Sequence, residues 1–231
     1  MRIAALALAM MTGLGLGDFL DDFESYSPGE DPDISPDWSR EPGGGYVLVA
    51  ENGGNQVIEA FFPDSAYIGY LCDGADIWGD GSVSMDFSVT GSGTLMTVIA
   101  RLQLFSGEAY VGGLIVWFQP FTYAYIGHVS MTGEYELLYS GTGPTMTPGT
   151  WSNVRLELEG ENPVTLALYL DDQPAAQVQD STYNLGPGLS GFALIYDSAV
   201  PSVLADNFEV VLAPQAMEAM TFGALKAAFS D

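Results

Sequence analysis

The side chains equipped to do chemistry in this chain are carboxylates and aromatic rings. Among 231 residues there are 30 Asp or Glu against 5 Lys or Arg, a formal charge of -25, with one His and one Cys. Trp78, Trp117, Tyr123 and Tyr125 are candidates for a sugar platform, with Tyr67 and Tyr70 beside them, because the apolar face of a pyranose stacks on an aromatic ring. Tyr123 and Tyr125 share one face of a strand. The competing reading of these rings is plain core packing. Glu134 and Glu136 also share a strand face. Glycoside hydrolysis needs two carboxyls about 5 to 9.5 Å apart across the bond, and exposed Glu on a wet strand face is the plainer account. His128 stands alone, with no Ser or Cys nucleophile signature near it, so neither a triad nor a zinc site can be assembled around it; it reads as a packed or surface residue. Cys72 has no partner for an intrachain disulfide and reads as a small core hydrophobe.

The charge excludes whole classes of partner. Nucleic acid and anionic membranes are bound by clusters of basic residues, and here Arg40, Arg101, Arg155 and Lys226 are scattered singly. Such acidity serves solubility, in a medium salty enough to screen the self-repulsion, and some of the carboxylates could also hold Ca²⁺. Met1-Arg2 followed by an uncharged, mostly apolar run from Ile3 to Gly17 has the layout of a secretory signal peptide and is too short to span a bilayer. With no disulfide in a module of this size, the expected setting is secreted or cell-surface and prokaryotic.

The elements that must position these residues are strands. Val83, Met85, Phe87 and Val89 alternate with Ser84, Asp86 and Ser88, which predicts one buried and one wet face. Thr97-Val98-Ile99-Ala100 reads as buried on both sides, and 111–118 as a central strand. Glu51-Asn52-Gly53-Gly54-Asn55 reads as a hairpin loop and Asp171-Asp172 as a two-residue hairpin turn, since Asp tolerates the left-handed region. Eleven or twelve such strands, punctuated by 28 Gly and 13 Pro, make two packed sheets. The acidic, aromatic-bearing segments Asp21 to Tyr26 and Asp206 to Val210 bracket them, and are expected to pair and close the sandwich. Trp38 is expected to plug one edge of the core. After Pro214 the period becomes helical, with Met217, Met220, Leu225 and Phe229 on one face. The division expected is a leader at 1–17, a β-sandwich at 18–213 and an amphipathic tail at 214–231.

Several phrases in order, Asp22-Phe23-Glu24, Gly113-Leu114-Ile115-Val116-Trp117-Phe118, Trp151-Ser152-Asn153-Val154-Arg155-Leu156, Leu168-Tyr169-Leu170-Asp171, Gly188-Leu189-Ser190-Gly191-Phe192 and Asp206-Asn207-Phe208-Glu209-Val210, resemble the concanavalin A-like lectin/glucanase superfamily in its laminin-G-like branch of bacterial secreted modules. The resemblance covers about residues 19 to 212. It implies an all-β antiparallel jelly roll, binding of carbohydrate or a cell-surface protein, and a structural Ca²⁺ where the terminal strands pair, with Asp22 or Glu24 and Asp206 as ligands. The glucanase members carry Glu-x-Asp-x-x-Glu on one strand; Glu134-Tyr135-Glu136 lacks the rest of that pattern. The expected function is therefore a secreted, non-catalytic binding module. The alternatives are a structural or adhesive surface protein and a polysaccharide hydrolase or lyase.

Overall fold

Strict alternation in 81–89 and 151–159 forces one face of each strand inward, and the fold is built from that constraint. The computed structural model describes residues 18–41, 45–62, 67–74, 79–90, 94–102, 104–105, 109–110, 113–119, 123–129, 135–181, 188–196 and 203–213. The leader expected at 1–17 and the tail expected at 214–231 lie outside them.

Two antiparallel sheets face each other as a jelly-roll sandwich. One runs β15 (Gln173–Asp180), β14 (Val164–Leu170), β13 (Trp151–Glu159), β6 (Gly81–Val89), β17 (Val203–Leu212), β4 (Asn55–Phe61) and β3 (Tyr46–Asn52), with β1 (Phe19–Asp21) also on β17. The other runs β12 (Tyr135–Gly141), β11 (Tyr123–Val129), β10 (Gly113–Gln119), β7 (Thr94–Leu102), β16 (Leu189–Tyr196), β5 (Tyr67–Cys72) and β2 (Trp38–Arg40). A small ribbon joins β8 (Leu104–Phe105) to β9 (Ala109–Tyr110).

The chain ends meet as expected. Phe19, Leu20 and Asp21 pair with Val210, Glu209 and Phe208. β4 pairs with the first half of β17, at Leu204 and Ala205, and β1 takes the second half, so two short strands share one ladder. The opening strand is shorter than expected and earlier. Asp21 Oδ1 accepts from Phe23 N at 2.8 Å, which turns the backbone and leaves Phe23 at φ 55. Phe23 still enters the core, where it stacks on Trp38 at 6.2 Å; Phe208 meets the same indole edge-on at 4.9 Å. Trp38 Nε1 and Tyr26 Oη both donate to Asp21 Oδ2, at 2.7 and 2.9 Å, so the plug satisfies its polar atoms without water.

Val83, Met85, Phe87 and Val89 fill the core with Val154, Leu156, Leu166, Leu168 and Phe192, while Cys72 packs among them as a hydrophobe. The opposite face of β6 is drier than its alternation suggests, because Ser84 and Ser88 are buried between β13 and β17. Gly53 and Gly54 alone make the β3–β4 turn, a tighter hairpin than the five-residue loop, with φ of 65 and 99. Asp171 and Asp172 turn β14 into β15 with φ of 49 and 60, the left-handed pair such a hairpin demands.

Candidate functional site

Two regions gather the candidate residues: the outer face of the seven-stranded sheet, and the junction of β1 with β17. On the first, the ladders fix one cross-strand row. Tyr125 of β11 pairs with Ser140 of β12 and with Trp117 of β10; Trp117 pairs with Thr97 of β7, Thr97 with Ala193 of β16, and Ala193 with Gly69 of β5. Positions 117, 123 and 125 thus come together on two adjacent strands. Tyr125 is half-buried. Trp78 and the side chains of Trp117 and Tyr123 lie outside the described residues.

The floor of this face is apolar and covered. Leu71, Ile99, Leu102 and Ala193 form a second buried cluster, with Tyr67 and Leu189 packed against it. Tyr67 folds over Gly69, where any added Cβ would strike its ring; burial, and then the Glu41 carboxylate, push its hydroxyl up to about 12. In the middle of the row Thr97 is 1% exposed, and among the described residues its Oγ1 has no hydrogen-bond partner. Thr97 is therefore part of the covered floor of the row.

Tyr70 does not belong to any platform. Three residues from Tyr67, it falls on the opposite face, stacks on Phe192 at 5.3 Å and is fully buried. Its strand is separated from β10 by β16 and β7.

At the second region β17 breaks register. Asp206 pairs with Asp86, but the next pair is Glu209 with Ser84, and Asn207 takes φ 51. This bulge holds a set of carboxylates together. Asp86 accepts from Asn153 Nδ2 at 2.8 Å on one oxygen and Asn207 Nδ2 at 3.0 Å on the other. Asp206, 6% exposed, accepts from Asn207 N at 2.8 Å. Burial pushes its carboxyl up to about 6, the Asn207 N–H partly opposes that, and the charges of Asp86, Glu24 and Asp22 push it further up. Glu24 is tied to β4 by Gln56, whose N donates to Oε1 at 2.9 Å and whose Nε2 donates to the Glu24 carbonyl at 3.1 Å. Asp22, Glu24 and Asp206 are therefore neighbours, and Asp86 is a fourth member that sequence reasoning missed. Its signal was its outward phase on β6. Among the described residues no three His, Cys, Asp or Glu side chains converge on a metal position. An ion here would need carbonyl oxygens to complete its shell.

Two more polar residues are buried, His128 as the packed residue expected and Arg101. His128 shares the inward phase of Ala124 and Ile126; its Nδ1 lies 2.8 Å from Asp180 Oδ2 and its Nε2 lies 3.3 Å from Glu136 Oε2. Glu136 thus has a structural task, and Glu134 lies outside the described residues. Arg101, in the left-handed region at φ 52, is buried against loop carbonyls.

No family model and no curated protein matches the chain. Solved structures do. The carbohydrate binding module CBM66 from Bacillus subtilis is similar with a TM-score of 0.55 at 13% identity, covering 76% of this chain and 96% of that one. The Bacillus licheniformis β-glucanase gives 0.59 at 11%, covering 88% and 100%. A glycoside hydrolase family 16 endo-glucanase from Bacteroides ovatus gives 0.59 at 12%, covering 84% and 99%. At such identities the likeness speaks for the fold, and the fold is the concanavalin A-like jelly roll. Among the described residues no helix is long and apolar enough to cross a membrane.

Proposed function

We propose that this chain is an exported, non-catalytic module that binds carbohydrate on the outer face of its seven-stranded sheet. The observation that carries the reading is the row in which positions 117 and 125 flank one another on adjacent strands of that sheet. Ring faces are what the apolar C–H face of a sugar engages. The neighbouring folds named as a carbohydrate binding module and as glucanases support the same ligand class. The non-catalytic part rests on Glu134-Tyr135-Glu136, which lacks the rest of the glucanase pattern, and on Glu136, which lies 3.3 Å from His128. Export rests on the leader pattern of residues 1–17.

A calcium ion at the β1–β17 junction completes the proposal. Asp22 or Glu24, with Asp206, would supply carboxylates, and the ion's charge would offset the burial that chiefly raises the Asp206 carboxyl and the neighbouring charges that add to it. Binding should raise the melting temperature, because an ion that binds only the folded chain stabilises it. The direct test is a glycan array read with calcium and with chelator. Trp117→Ala and Tyr125→Ala should each weaken the strongest hit about tenfold or more. An array blank under both conditions would remove the carbohydrate reading, and identical melting curves would remove the ion.

A further inference from the structure

The outer face of the eight-stranded sheet is grooved. One cross-strand row, Val211, Ser82, Glu157, Ala167 and Gln177, runs over five strands from β17 to β15. Ser82 and Ala167 are short, and taller side chains rise around them. The result is an open groove of about 530 Å³, reaching from Asp80 to Tyr169, within the size range of ligand sites. A second hollow of about 230 Å³ adjoins it and shares Ala167, Tyr169 and Gln177.

The walls are held in place from behind. Tyr169 borders both hollows, and the Arg155 guanidinium lies 4.5 Å over its ring. Arg155 pairs in turn with Glu157 and, at 2.8 Å, with Asp172. At the far end Asp80 Oδ1 accepts from Arg101 Nη2 at 2.8 Å and from Gly160 N at 3.0 Å. Arg101 is 1% exposed, and its other N–H groups donate to the carbonyls of Gly79 and Gly160 at 3.0 Å. A fixed ring and fixed acceptors cost little further ordering when a ligand arrives.

The chemistry of this lining selects the ligand. It offers carboxylates, an amide, hydroxyls and one aromatic ring, while both nearby arginines are committed to carboxylates. An anion finds no cation to pair with and meets a protein of charge -25. A neutral molecule rich in hydroxyl donors, with an apolar face for Tyr169, fits. We infer that this groove is a second carbohydrate site, taking a neutral glycan chain on the side of the sandwich opposite the Tyr125 row. The inference rests on the carbohydrate reading of the module. Its consequence is that one molecule bridges two glycan chains.

The test is calorimetric titration of the full chain with oligosaccharides of β-1,3-1,4-glucan, on wild type and three variants. Wild type should bind two equivalents. Tyr169→Ala, and Ala167→Trp, which fills the groove from an outward position without removing a wall, should each leave one equivalent with its affinity unchanged within twofold. Tyr125→Ala should leave the other. One equivalent in wild type that both groove variants retain and Tyr125→Ala abolishes would overturn the second site and leave the first standing. One equivalent lost in the groove variants and kept in Tyr125→Ala would support the groove and overturn the Tyr125 row. No binding by wild type would overturn both.

Discussion

At one side of the sandwich His128 of β11 reaches across to Asp180 of β15; at the other, Tyr70 of β5 reaches across to the backbone of β3. Both seams need a polar side chain, because the outermost strands leave groups that water cannot reach. The His128 seam is ionisable on both sides: each partner is 2% exposed, and Glu136 closes over the second ring nitrogen. The Tyr70 seam is built on a neutral phenol. Its hydroxyl accepts from Val47 N at 3.2 Å and donates to Asp31 Oδ1 at 2.9 Å, while its ring stacks on Phe192. Burial raises the Asp31 carboxyl, which the Asp33 N–H and the Tyr70 hydroxyl partly offset. The two seams close the same kind of gap, but only one places a fully buried carboxylate at stake.

The largest effect should come from His128→Ala. It takes from Asp180 the imidazole it is bonded to, and breaking a buried pair from one side costs about 3–5 kcal/mol. Urea unfolding measures it; a loss below about 1 kcal/mol would mean that the buried carboxylate has other adequate partners and that the contrast between the seams is false. Tyr70→Phe should cost less, about 1–2 kcal/mol, since the stack survives and only two hydrogen bonds go. A loss equal to that of His128→Ala would erase the distinction.

A further effect concerns a third carboxylate, at neither seam. Asp206 titrates at about 6 in the fold and near 3.9 in an unfolded chain. Between those values the folded state holds more protons, so stability falls as pH rises from about 4 to about 6 and stays lower above it. Asp206→Asn, melted in chelator from pH 4 to 7, should flatten that decline and raise the melting temperature at pH 7. The same variant should lose any rise caused by calcium. A decline of unchanged steepness would place its origin in another group.

Much of the fold was legible because period-two alternation depends on neighbours in the chain. β6, β13 and the Asp171-Asp172 turn follow from it, and the pairing of β1 with β17 follows from two matching acidic, aromatic segments. The site was legible only in part. Tyr125 and Trp117 come together because a hairpin joins their strands, whereas the odd spacing of Tyr67 and Tyr70, which sends them to opposite faces, is a signal the aromatic content hid. Asp180 lies 52 residues from His128, and Arg101 is satisfied by carbonyls of Gly79 and Gly160, so nothing local announces either pairing. The groove was invisible for the same reason: Ser82 and Ala167 are unremarkable until the register aligns them.

β17 sits inside its sheet, with β6 along one side and β4 and β1 sharing the other. Without it the remaining strands of that layer fall into three groups with no ladder between them, and Leu212 N reaches back 194 positions to bond Asp18. A ribosome must therefore finish nearly the whole described length before the layer can assemble, and contacts so distant along the chain make for slow closure.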